Sequence, residues 1–116
     1  MNVAIVADYN GLKDLRIFTA IETFEMDIKI GDFILDTAKE ELGALFTSVE
    51  IIDSLPKSRT HDAYVFVDFL WERFRTGLTS YTLDFKTKLT LRDQTLKYIF
   101  GQYEASRREY YSRSSA

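Results

Sequence analysis

The chain has 116 residues and carries 15 Lys+Arg against 18 Asp+Glu, for a net charge of −3. That length suits one domain able to bury roughly two-thirds of its unfolded surface. The mild acidity argues against tracking a phosphate backbone, and the lack of Cys excludes disulfides and cysteine metal sites. No apolar run approaches the roughly 18 residues that cross a bilayer. Met1-Asn2 leads directly into an apolar strand with no basic leader, so the export state is open.

Val3 to Asp8 is short and apolar, as a buried strand is. Tyr9-Asn10-Gly11 signals a turn, and Leu12 to Phe24 fits helix and loop equally. From Thr23 to Ile30 the chain alternates, with Phe24, Met26, Ile28 and Ile30 on one face, which predicts a half-buried strand. Asp32 to Phe46 predicts the one main helix. Ile34, Ala38, Leu42 and Leu45 make its inner stripe, with Leu35 and Phe46 beside them, and Asp32 serves as N-cap or first-turn acid.

Val49 to Ile52 reads as a second buried strand, and Asp53 to His61 as a polar loop around Pro56. Asp62 to Arg75 predicts a long strand that is apolar on both faces. Strict alternation places Val65, Val67, Phe69 and Trp71 on one face and Tyr64, Phe66, Leu70 and Phe74 on the other. Tyr81 to Leu91 alternates most cleanly, with Tyr81, Leu83, Phe85, Leu89 and Leu91 inward. An Asp93 turn then returns the chain through Leu96 to Tyr103 as a hairpin. The expected fold is α+β, one main helix on a mostly antiparallel sheet of about five strands. Residues 1–104 form the single domain and residues 105–116 a polar C-terminal tail.

No catalytic signature emerges. His61 adjoins Asp62, but neighbours on a strand point apart, so they make a poor base and orienter. Asp68 stands among apolar residues and would need Arg73 or Arg75 if it faced inward. The opening strand lacks the glycine fingerprint and lysine of nucleotide-binding units. Lys86, Lys88, Arg92 and Lys97 with Tyr98 and Tyr103 could suggest nucleic acid, but Asp84 and Asp93 dilute that patch. No catalytic residue, cofactor, metal or nucleic-acid partner is expected. The aromatic set Tyr64, Phe66, Phe69, Trp71 and Phe74 is the candidate partner-binding surface, because one helix cannot cover both faces of its strand.

The opening strand, the Ile30-Gly31 step into a helix with Ala38, Leu42 and Phe46, and the run Val49-Glu50-Ile51-Ile52-Asp53-Ser54 occur together. So do the strand through Asp68-Phe69 and the strand Tyr81 to Leu91 before an Asp-centred turn. Over residues 3 to 103 this resembles the small α+β domains of bacterial envelope lipoproteins, the lipopolysaccharide-assembly type and related lipoproteins of unknown function. The resemblance implies a non-catalytic periplasmic domain held at the outer membrane by an upstream lipidated Cys absent from this chain. It would act in assembly, transport or scaffolding by binding envelope protein or lipid, with a homo-oligomer as another partner state. The alternative is a cytoplasmic binding or regulatory domain.

Overall fold

A computed structural model describes residues 1–21, 24–77 and 80–112. Over these described residues the fold is α+β, with a five-stranded sheet, a separate two-stranded hairpin and one α-helix. Strand β1 (Asn2–Val6) leads into a 3₁₀ segment (Tyr9–Asp14), then a hairpin of β2 (Ile17–Ile21) and β3 (Phe24–Ile28). Helix α1 (Ile30–Gly43) follows, then β4 (Ser48–Ile52), β5 (Ala63–Thr76), β6 (Ser80–Arg92) and β7 (Ile99–Ser112).

The sheet order is β4-β1-β5-β6-β7. It is mixed, which corrects the expected mostly antiparallel sheet: β1 runs parallel to both β4 and β5, whereas β5, β6 and β7 pair antiparallel. Alternation within a strand reports which faces are buried, not which way its neighbour runs. The opening strand therefore does enter a parallel crossover to β4 through α1, though with no glycine-rich phosphate loop. Three other expectations shift. β4, expected to be buried, is an edge strand whose Ser48, Glu50 and Ile51 are exposed. Ile30 begins the helix instead of ending a strand, and β7 continues through Ser112, so residues 105–112 of the expected tail are strand. Thr23 and residues 113–116 lie outside the described residues.

The core lies between the sheet and α1. Val3 and Ile5 of β1, Val65 and Val67 of β5, and Leu83, Phe85, Leu89 and Leu91 of β6 meet Ile30, Ile34, Leu35, Ala38 and Leu42 of α1. The helix stripe is as expected except at its end, since α1 stops at Gly43 and Leu45 is exposed. Asp32 is a first-turn acid that complements the helix dipole, and no side chain caps the helix at Lys29. Arg107 of β7 fastens the helix to the sheet, donating to the Thr37 hydroxyl at 3.2 Å and to the Glu40 carboxylate at 3.2 and 3.3 Å.

Among the described residues, the other sheet face is covered only at one end. Ala4, Val6 and Tyr64 pack there against Tyr9, Ile52, Leu55, Phe66 and Leu96. Leu55 belongs to the ten-residue link 53–62 that carries the chain from β4 across β1 to β5, and Leu96 to the β6–β7 turn. These two segments hold each other: Arg59 donates to the Gln94 carbonyl at 2.6 Å, and Gln94 donates to the His61 carbonyl at 3.0 Å. Leu96 takes φ 65°, an unfavourable conformation for a branched side chain. Asp93 secures that turn, accepting from the Thr95 hydroxyl at 2.7 Å, while the Leu96 amide donates to the Asp93 carbonyl at 3.0 Å.

Replacing Leu42 with Asp puts an unpaired carboxylate at a fully buried helix position. A loss of several kcal/mol is expected, measured by urea unfolding. Gly31 tests a backbone contact instead. A Cβ there would lie 2.0 Å from the Leu12 carbonyl oxygen, and the Gly31 amide donates to the Leu15 carbonyl at 3.1 Å. Gly31→Ala must push α1 away from the 3₁₀ segment, so the same measurement should register a loss of about 3 kcal/mol.

Candidate functional site: the open face of the long strands

Strands β5, β6 and β7 are 14, 13 and 14 residues long, whereas β1 and β4 have five each. β1 pairs with β5 only from Ala63 to Val65, so most of the long three-stranded ribbon projects beyond the parallel half of the sheet. The clasped loops cover the face opposite α1 at the near end and leave it open further along.

A β-bulge sets what that open face displays. Phe69 lies opposite Thr87 and Trp71 opposite Lys86, so Leu70 is the extra residue. An extra residue reverses the alternation beyond it. The expected faces of β5 are therefore corrected: Phe74 joins Val65, Val67 and Phe69 on the helix side, and Trp71 moves to the face of Tyr64 and Phe66. The five candidate aromatics consequently do not form one surface. Tyr64 is fully buried, and Phe66 packs edge-on against Tyr9 with ring centroids 5.1 Å apart. Phe69 and Phe74 lean on the main core. Only Trp71 stays open, 47% exposed, with its neighbour Leu70 at 45%.

Around Trp71, cross-strand pairing builds rows of side chains that share a face. One row is Trp71–Lys86–Ser106, the next Arg73–Asp84–Arg108, and the outermost Arg75–Thr82–Tyr110. On the near side stands Asp68–Lys88–Glu104. Asp68 thus lies on the open face opposite Lys88, away from Arg73 and Arg75. Two of the three acids here are engaged: Arg108 donates to both Asp84 oxygens at 2.6 and 3.2 Å, and Lys86 pairs with Glu104 at 2.9 Å. The forked Arg108 bond holds the Asp84 carboxyl below the usual carboxylate range. Arg73, Arg75 and Lys88 stand on the same face in the neighbouring rows, so with Lys86 and Arg108 the face carries five cations against three acids. A shallow groove of about 560 Å³ runs beside the indole, lined by Trp71, Arg75, Asp84, Lys86 and Arg108 among others.

The remaining candidates are dispersed. His61 bonds to Glu50 of β4 and not to Asp62, whose carboxylate accepts from the Asn2 amide at 2.7 Å. These bonds fasten the start of β5 to β1 and β4. Lys86 and Lys88 belong to the open face, whereas Lys97 sits in the β6–β7 turn and Arg92 donates to the Leu96 carbonyl at 3.1 Å. Tyr98 stacks on Phe100 away from that face, and Tyr103 shares the helix-side face with Leu89. Among the described residues no three His, Cys, Asp or Glu side chains are grouped to hold a metal ion. Sequence reasoning sets Arg73 and Arg75 beside Trp71 as anchors of an interface but misses Arg108 and Tyr110, because only the register of β6 and β7 brings them to that face. No family model, curated protein or solved structure matches this chain.

The Asp84–Arg108 pair gives this face a pH signature. Because the folded-state value of Asp84 is depressed, its contribution is complete above the ordinary carboxylate range near about 4 and is lost as pH falls through the lower folded value. Asp84→Asn should therefore lower stability at neutral pH and flatten the stability profile on acidification, read by thermal melts between about pH 2 and 7.

Proposed function

We propose that this domain is a non-catalytic cell-envelope module of the lipoprotein type, acting in assembly or scaffolding by binding an acidic segment of a partner protein. The observation that carries the binding reading is Trp71, 47% exposed on an open sheet face that it shares with Arg73, Arg75, Lys86, Lys88 and Arg108. Tryptophan and arginine are the side chains most enriched among the energetic anchors of interfaces. A locally cationic face on a chain of net charge −3 favours acidic partners and gives their approach a preferred direction. The reading needs a surface and not a cavity. The one histidine is engaged in fastening strands, and the groove beside Trp71 is open and lined largely by charged side chains.

The envelope placement rests on the resemblance in apolar pattern, including the Ile30-Gly31 step. Gly31 is under a physical constraint, the contact with Leu12. Expression from the native gene start, with palmitate labelling and cell fractionation, tests it. Recovery of unlabelled protein in the cytoplasm favours the alternative, a cytoplasmic binding or regulatory domain using the same face.

Trp71 is the only tryptophan, so its emission reports directly on the surface. Titration with a glutamate-rich peptide should shift the emission to the blue and be reversed by salt. Arg75→Glu should weaken that binding about tenfold without altering the melting temperature. A response to phosphatidylglycerol vesicles but not to the peptide would assign the face to lipid. No response to either probe would remove the reading.

A further inference from the structure

The outer edge of β7 carries an inference that goes beyond partner binding through Trp71 and stands without it. β7 is the last strand of the sheet, and among the described residues no backbone hydrogen bond reaches its outer side. Such an edge is a template for another strand, and proteins usually blunt it with charged side chains, proline, a bulge or extreme shortness. The other edges of this sheet are blunted. β4 has five residues, and the free edge of β5 is broken by the bulge at Leu70 and flanked by the 3₁₀ segment. β7 carries charges, but of both signs (Glu104, Arg107, Arg108 and Glu109), so they can pair across the edge as well as repel; it has no proline, and after the irregularity near Phe100 it pairs with β6 in unbroken register from Gly101 to Ser112.

We propose that β7 pairs antiparallel with β7 of a second copy of this chain, with the twofold axis at Ser106, making one continuous ten-stranded sheet. Symmetry and charge select this register. A twofold axis normal to the sheet keeps each face on its own side, so residues pair only with partners of the same face, and the axis must pass at a residue opposite itself. Centring on Glu104, Arg107 or Arg108 opposes like charges at the axis, which is destabilising. Centring on Ala105 matches no opposite charges. Centring on Ser106 sets Glu104 opposite the partner's Arg108 and Arg108 opposite the partner's Glu104. It also uses the whole regular run, since Gly101 then lies opposite the partner's Tyr111. Asp84 and Lys86 already hold Arg108 and Glu104 in place on this face, so the new pairs extend an alternating network. Ser106 shares its row with Trp71, so the two indoles come to one face about 24 Å apart across five strand spacings.

The chain contains no cysteine, so a single introduced thiol reports the geometry without interference. At the axis, opposed residues have Cα atoms about 4.5–5.5 Å apart, inside the range a disulfide spans. Ser106→Cys should therefore oxidise to a covalent dimer, while Gln102→Cys, exposed on the same face of the same strand, should remain largely monomeric. Equal cross-linking at both positions, or none at Ser106→Cys, overturns the proposal. Charge reversal gives a second measure in the uncross-linked protein. Glu104→Arg and Arg108→Glu should each weaken self-association by about tenfold or more in sedimentation equilibrium. An equimolar mixture of the two should associate again, because every opposed pair is then of opposite sign. Loss of an internal ion pair cannot produce that recovery. Wild-type protein that stays monomeric to about 1 mM, or a mixture no tighter than its components, overturns the proposal as well.

Discussion

The structure depends on burying β1 between two parallel neighbours. Its interior residues Val3 to Val6 are almost wholly inaccessible, and both their faces need cover. Val3 and Ile5 meet α1, while Ala4 and Val6 meet the clasped loops. Parallel pairing on both sides cannot be closed by tight turns. The chain therefore spends the hairpin and α1 on one crossover and the link 53–62 on the other. Those two connections are also the two covers of the sheet. Covering β1 and ordering the strands are thus one constraint, and the Gly31 contact with Leu12 is where the helical cover is tied down.

The open face is a consequence of lengths. β5, β6 and β7 outrun β1 and β4, but the second cover is no longer than the link and turn that form it. Near the clasp, Tyr64 is buried and Phe66 partly buried. Beyond it none of the described segments covers the same face. Once Leu70 has reversed the alternation, that face presents one large aromatic group and several cations. The bulge separates a strand end that belongs to the core from one that faces a partner, and it also spoils the β5 edge as a template for pairing. The β7 edge keeps its regularity.

Electrostatics on this surface are organised by strand pairing and not by sequence proximity. Asp84 and Arg108 are 24 residues apart, yet they stand opposite each other with a forked hydrogen bond. Arg107, the neighbour of Arg108, points to the other face and holds the helix through Thr37 and Glu40. Adjacent arginines thus serve opposite layers, as the twofold periodicity of a strand requires. The link between folding and binding follows: the register that positions the open-face cations is the register that anchors α1.

What the sequence determined by itself was whatever a short-range period can encode. The inward set of Tyr81 to Leu91, the helix stripe through Ile34, Ala38 and Leu42, and the buried opening strand follow from local alternation and spacing. Tertiary structure decided the rest, because pairing partners carry no local signature. Nothing between Val3 and Val6 says that β4 and β5 flank it in parallel. One bulged residue, Leu70, inverts a pattern that reads as regular in sequence, and it moves Trp71 out of the group containing Phe69. The polar stretch from Ala105 to Ser112 lacks the apolar period of a strand, yet it folds as one. β6 supplies its backbone partners, and its charged side chains find acids and hydroxyls on two different faces.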